Sequence, residues 1–235
     1  MKAAILAAGK GTRLKNILGE EPKALLKICG IPMIERLLHI LVKNGIQDLV
    51  VIIRKDATNL RRFLDDKKNE TKITIVQENT ESAMASFFAL EPYLRNEPFL
   101  LFTVDTIYKE EDFSRFIDFC RKNPNADLLL TATSFILDEK PVFVKFGQKG
   151  RITAVGRKYL QSGRLVLAGM YYCSPKIYRE IENALKHSIE HLSDFFGWVV
   201  VNGYDVRGIE VSKVIDVDDE GDIKEAEKLL ECRKT

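Results

Sequence analysis

An apolar strand that opens directly into a glycine-rich, basic loop constrains this chain more than any other feature. Residues 2–8 are apolar after Lys2, with the length and continuity of a strand covered on both faces. Gly9-Lys10-Gly11-Thr12-Arg13 follows at once, and Pro22-Lys23 comes shortly after. Glycines behind a strand let the backbone turn tightly and present consecutive N–H groups, so a polyphosphate can lie against the chain itself. Lys10, Arg13 and Lys23 add cations beside that cradle, and the arginine fork suits phosphate oxygens. The opening stretch therefore reads as a phosphate site.

Two common phosphate motifs are excluded by spacing. A P-loop ends in Gly-Lys-Ser/Thr four residues after its first glycine, which Gly9-Lys10-Gly11-Thr12 does not provide. A dinucleotide fingerprint needs a third glycine where Leu14 stands. What remains, the run from Leu6 to Leu14 followed by Pro22-Lys23, resembles the signature of nucleotidyltransferases that couple sugar or polyol phosphates to nucleoside triphosphates. The resemblance extends over 1–230 and lacks the C-terminal hexapeptide helix of longer relatives. It implies a nucleotide-diphospho-sugar transferase fold, with a nucleoside triphosphate and a phosphorylated sugar or alcohol as partners.

The periodicity agrees with that fold. Continuous apolar runs at 49–53, 72–76, 99–104 and 127–133 predict buried strands. Helical spacing is read at 32–43, 57–64, 80–90 and 110–120. Strands alternating with helices in this way predict a Rossmann-like, doubly wound, mostly parallel α/β sheet. From 142 to 172 the rhythm changes to hairpin strands at 142–146, 151–155 and 165–172, read as an inserted β-rich lid. Further helices are expected at 175–186, 188–199 and 220–230, with short strands at 204–210 and 212–217. At 235 residues, with no repeat and no linker-like stretch, a single domain over 1–235 is expected.

Composition narrows the partners. A formal net charge of +2 points to neither nucleic acid nor an anionic membrane, and no stretch has the apolar length of a membrane span. Cys29, Cys120, Cys173 and Cys232 are scattered without C-x-x-C spacing, so reduced thiols are expected. With no signal-peptide pattern at the start, the expected compartment is the cytoplasm. Oligomeric state, including a homo-oligomer, is left open.

The acidic residues supply the remaining chemistry. Asp105 follows the apolar run 99–104, at the carboxyl end where open α/β sheets bind ligands and where a carboxylate can hold Mg²⁺. The resemblance assigns that aspartate to the metal, with Val104 here in place of the family's glycine. It likewise makes Asp216 the second metal position and Asp218 the next candidate, in the segment that runs into the last helix. Ala7, Ala8, Gly9, Lys10, Gly11 and Thr12 are then expected to bind the nucleotide, with Gln77 and Ser82 where the family reads the base. Arg13 and Lys23 carry catalysis, Lys23 near the α-phosphate and Arg13 on the departing pyrophosphate. Gly169, in the small pair Ala168-Gly169, lets the backbone approach the acceptor, and Arg157-Lys158 replaces the family's Glu-Lys-Pro. Two cations without an acid favour the acceptor's phosphate, so Arg157 is expected to grip it. The implied reaction is Mg²⁺-dependent transfer of a nucleoside monophosphate to the acceptor, with loss of pyrophosphate. Cytidylyl transfer to a phosphoalcohol and a silent nucleotide-binding subunit are the alternatives.

Overall fold

The computed structural model describes residues 1–137, 140–157 and 164–232. Four parallel strands form one half of a nine-stranded sheet: β1 (Lys2–Ala7), β2 (Asp48–Ile53), β3 (Lys72–Gln77) and β4 (Phe99–Thr103). β1 lies between β2 and β4, with Ile5 opposite Val51 on one side and Phe102 on the other. Because successive strand side chains point to opposite faces, β1 serves two cores at once. Ala3, Ile5 and Ala7 pack with Ile34, Leu37 and Leu41 of helix α1 (Met33–Lys43). Ala4, Leu6 and Ala8 pack against the other face, with Phe87 of helix α2 (Ala83–Ala89). Each large apolar side chain fully buried in this way contributes about 1.5–3 kcal/mol.

Helix ends follow local chemistry. α1 stops at Asn44-Gly45, where Gly45 adopts φ 80° and Ile46 N–H donates to Leu41 C=O at 3.0 Å. Helix α3 (Glu110–Lys122) buries Phe113, Phe116 and Ile117 and has Glu110, Glu111 and Asp112 in its first turn, favourable for the helix dipole.

The second half of the sheet is mainly antiparallel. It contains β5 (Leu128–Thr133), β6 (Phe143–Phe146), β7 (Ile152–Gly156), β8 (Val166–Cys173) and β9 (Val206–Glu210). β8 runs antiparallel to β4, with Met170 opposite Phe102, and to β5 on its other edge. β6 joins β8 at Val166 and pairs with β7, so the β-rich insertion is continuous with the main sheet. Helix α4 (Leu192–Val201) adds Phe195 and Phe196 to the core shared with α2.

Two short ribbons lie outside the sheet. Thr106–Tyr108 pairs antiparallel with Val214–Asp216, and Lys27–Ile28 with Ile31–Pro32. The first departs from the sequence reading, which expected a longer strand at 212–217 and none directly after Asp105. Val217 N–H donates to Asp105 C=O at 3.0 Å, tying the acidic segment to the end of β4. Helix α5 (Glu220–Leu229) then starts in a capping box formed by Asp219 and Asp222.

The cysteines correct an expectation. Cys29 and Cys232 form a disulfide with Cα atoms 5.6 Å apart, while Cys120 and Cys173 are buried free thiols. Spacing along the chain cannot reveal a pair separated by 203 residues, because only the fold brings the ends of the ribbon and α5 together. No helix among the described residues is long and apolar enough to cross a membrane.

Candidate active site

Two neighbouring cavities open at the carboxyl ends of β1 and β4. The first, about 360 Å³, is lined by the whole run from Leu6 to Arg13, together with Lys23, Ser82 and Asp105. The second, about 310 Å³, is lined by Gly169, Tyr171, Asp216 and part of the 133–142 segment. Arg13, Thr103 and Asp218 border both.

The loop takes the shape its glycines allow. Gly11 sits at φ 59°, in the left-handed region, immediately before the short helical turn Thr12–Leu14. A Cβ at Gly11 would lie 3.1 Å from Lys23 Cβ, so the loop and the lysine are packed against each other. The second wall is set by Ser82, whose hydroxyl accepts from Ala85 N–H at 3.1 Å. That cap starts α2 at Ala83, later than the expected helix over 80–90. Behind it, the Thr80 and Ser86 hydroxyls share a buried hydrogen bond of 2.6 Å. At the mouth, exposed Lys10 donates to Glu81 at 3.0 Å and holds that carboxyl below its usual range.

Lys23 is the centre of the site. Its side chain is 7% exposed, and its Nζ donates to Asp105 Oδ2 at 2.5 Å and to Asp218 Oδ1 at 2.8 Å. Burial by itself would lower the lysine pKa. The charges of Asp105 and Asp216, with the two hydrogen bonds, overcome it and raise the pKa. Asp218 also accepts from Arg13 Nη2 at 2.5 Å. Burial pushes its carboxyl up, but Lys23 and Arg13 together hold it below the ordinary value. One ammonium thus pairs with carboxylates delivered by two distant segments, and Arg13 adds a second cation to Asp218.

The same arrangement tests the metal expectation. Asp105 and Asp218 aim oxygen atoms at a single cation, and Asp216 lines the adjoining cavity. Such an all-oxygen donor set suits Mg²⁺, which takes one or two carboxylates and completes its shell with water and phosphate oxygens. No cluster of three or more His, Cys, Asp or Glu among the described residues would hold a metal by itself. The residues fit an ion that arrives with a polyphosphate.

Most of the expected residues meet here. Ala7, Ala8, Gly9, Lys10, Gly11, Thr12, Arg13, Lys23, Ser82 and Asp105 line the first cavity, Gly169 and Asp216 the second, and Asp218 both. Gly169 bulges β8 at φ 72°, and a Cβ there would lie 2.6 Å from Thr106 Oγ1. Two residues fall elsewhere. The Gln77 amide oxygen is taken by the Arg61 guanidinium, and Gln77 borders neither cavity. Arg157 is exposed beyond the end of β7 and also lies outside both linings, so this placement does not provide the expected grip on an acceptor phosphate. Lys158 lies outside the described residues.

Sequence reading missed several wall residues. Thr103 and Thr106 share a 2.6 Å hydroxyl contact on either side of Asp105, and both line the second cavity. Ile136 and Leu137, large apolar side chains left exposed, form part of the same wall. Their only sequence signal was an apolar pair in a segment without clear strand or helix period.

The comparisons with known proteins bear on the family and the fold. Residues 2–206 match the description of the family "Nucleotidyl transferase". The chain is 26% identical over 226 residues to a glucose-1-phosphate thymidylyltransferase of Streptomyces antibioticus, covering 90% of this chain and 60% of that protein. It is 24% identical over 230 residues to a bifunctional IPC transferase and DIPP synthase of Aquifex aeolicus, covering 97% of this chain and 51% of that one. The chain therefore spans little more than half the length of these two relatives. Among solved structures, the inositol-1-phosphate CTP transferase from T. maritima superposes with a TM-score of 0.82, at 18% identity and over 98% of this chain and 95% of that one. That likeness shows the fold.

Proposed function

The chain belongs to the nucleotidyl transferase family, and on that premise we propose that it transfers a nucleoside monophosphate from a triphosphate to a phosphorylated sugar or alcohol. The observation that carries this reading is the Lys23 ammonium of the first cavity, held between Asp105 and Asp218, the latter also lining the second. The triphosphate lies in the first cavity, against the backbone of Leu6 to Arg13. The acceptor lies in the second. An acceptor phosphate oxygen forms a bond to the α-phosphorus, the bond to the α–β bridging oxygen breaks, and pyrophosphate leaves with that electron pair.

A phosphate monoester has its second pKa at about 6, so the attacking oxygen is already ionised and needs no general base. Catalysis is then positioning and charge stabilisation. Lys23 is the buried cation of the first cavity, and Arg13, which lines both, covers the junction from the loop side. Mg²⁺ held by Asp105 with Asp216 or Asp218 would neutralise charge on the polyphosphate.

The second cavity favours one acceptor class. Ile136 and Leu137 give it an apolar wall, and Asp216, Asp218, Asp219 and Asp222 outnumber Arg13 around it. Such a lining suits a phosphoalcohol with an alkyl or cationic end better than a hydroxyl-rich sugar phosphate. Pyrophosphate release, measured for four triphosphates against a panel of phosphorylated sugars and alcohols, tests both levels. We expect release with at least one pair, its loss in excess chelator, and its loss in Asp105→Asn. Triphosphate binding without release from any pair would make the chain a silent nucleotide-binding subunit.

A further inference from the structure

A third cavity, about 460 Å³, opens between α1, the Thr106–Tyr108 strand and the residue that ends α5. Its apolar lining is Met33, Leu37 and Ile40 of α1, with Ile31, Ile107 and Leu230. None of its residues lines the phosphate cradle, and only Thr106 is shared with the second cavity.

Two of its polar atoms lack partners. Arg36 and Tyr108 both line it, and Arg36 Nε and Tyr108 Oη are buried without a hydrogen-bond partner. Among the described residues only Arg54 Nη1 shares that condition. A buried donor left without an acceptor costs stability, a loss that a bound acceptor would relieve. Tyr108 is itself more than nine-tenths buried, its ring stacked on Phe113.

Arg36 is the more telling of the two. Its Nη2 donates to Ile28 C=O at 2.9 Å, which holds the guanidinium in place. The two acids that also line the cavity are engaged by cations: Glu35 with Lys67 at 3.1 Å, and Glu110 with Lys43. Burial holds the Arg36 pKa below its ordinary value, opposed only by the field of Glu110. A half-buried guanidinium over an apolar floor, with no carboxylate in contact, is the chemistry of an anion site. His39, one turn further along α1, lines the same cavity and is exposed.

We propose that this cavity is a second ligand site that takes a small organic anion, its charged group on Arg36 and its apolar body on the floor of Met33, Leu37 and Ile40. The apolar floor disfavours inorganic phosphate alone, and the half-buried cation disfavours a neutral ligand. Because Thr106 directly follows Asp105, an occupant would touch the segment that carries a carboxylate of the first site.

The test uses the full chain and the fluorescent amphipathic anion 8-anilinonaphthalene-1-sulfonate. We expect saturable binding at one site, displaced by 3-phenylpropionate or phenyl phosphate but not by inorganic phosphate or benzyl alcohol. A nucleoside triphosphate should leave the probe bound. Arg36→Met should weaken binding about tenfold or more, the loss of one charge-assisted contact. Tyr108→Phe should weaken it less and keep the thermal midpoint, because it removes a hydroxyl that has no partner. Displacement by the triphosphate, displacement by benzyl alcohol, or no binding at all would overturn the proposal. So would unchanged affinity in a folded Arg36→Met or, should that variant not fold, in Tyr108→Phe.

Discussion

The first two cavities share Arg13, Thr103 and Asp218 but are assembled in opposite ways. The first cavity is built around one continuous run of chain, Leu6 to Arg13, and one buried ammonium paired with two carboxylates. The second is gathered from side chains of separate segments, around 133–142, 166–171 and 214–222, with Ser193 added from α4. The difference teaches where specificity can change cheaply. A polyphosphate looks the same whatever it is attached to, so backbone N–H groups and a fixed cation suffice for it. An acceptor is distinguished by side chains, which can be exchanged without disturbing the cradle.

Lys23→Ala strikes the ammonium that pairs with Asp105 and with the shared Asp218, and should have the largest effect. We expect turnover to fall about 10²–10³-fold, with triphosphate affinity less affected, as for removal of one preorganised electrostatic contact. The thermal midpoint should fall too, since Asp105 and Asp218 lose their common counter-ion. If only the KM for the triphosphate rises and kcat holds, the ammonium binds without stabilising the reaction.

Gly169→Ala sharpens the contrast by reaching only the second cavity. The residue sits at φ 72° with Thr106 Oγ1 2.6 Å from the new Cβ, so about 1–3 kcal/mol of stability should be lost in denaturant titration. The KM for the acceptor should rise while that for the triphosphate stays. Equal changes in both would show that the cavities are not separable through Thr106.

Acid titration gives a smaller, signed effect. The Asp218 carboxyl lies below its unfolded value of about 3.9, so its stabilisation is present above that pH and is lost as pH falls through the lower folded value. Lys23 is raised, so its contribution is present below about 10.4 and is lost only as pH rises through the higher folded value. Neither group changes stability between about pH 5 and 9. Wild type should therefore lose more stability from pH 7 to pH 3 than Asp218→Asn does, as measured by thermal unfolding. Parallel losses would mean that the carboxylate is not held by Lys23 and Arg13 in solution.

Arg157→Ala should do least. An exposed cation outside both cavity linings is expected to change either KM by less than about twofold. A rise confined to the acceptor would restore the grip read from the sequence.

Legibility divided along the same line as the cavities. The strand and loop from Lys2 to Arg13, the placement of Asp105 after β4, and the alternation of strands and helices were all readable, because each is a property of neighbouring residues. Gln77 was misplaced because its position at the end of β3 says nothing about Arg61, whose guanidinium claims it. The Thr106–Tyr108 strand was missed because a three-residue strand carries too little periodicity to register.

By itself the sequence determined the glycine-rich loop behind β1 and the parallel half of the sheet. A backbone cradle must be made of consecutive residues, and a strand buried on both faces must be apolar throughout. Only the tertiary structure decided that Lys23 lies between aspartates 82 and 195 residues away, and that Cys29 meets Cys232. It also decided that Arg36 and Tyr108 share one cavity wall. The physical reason is that ion pairs, disulfides and cavities depend on distance in space, and chain separation carries no record of that distance until the sheet and its helices are packed.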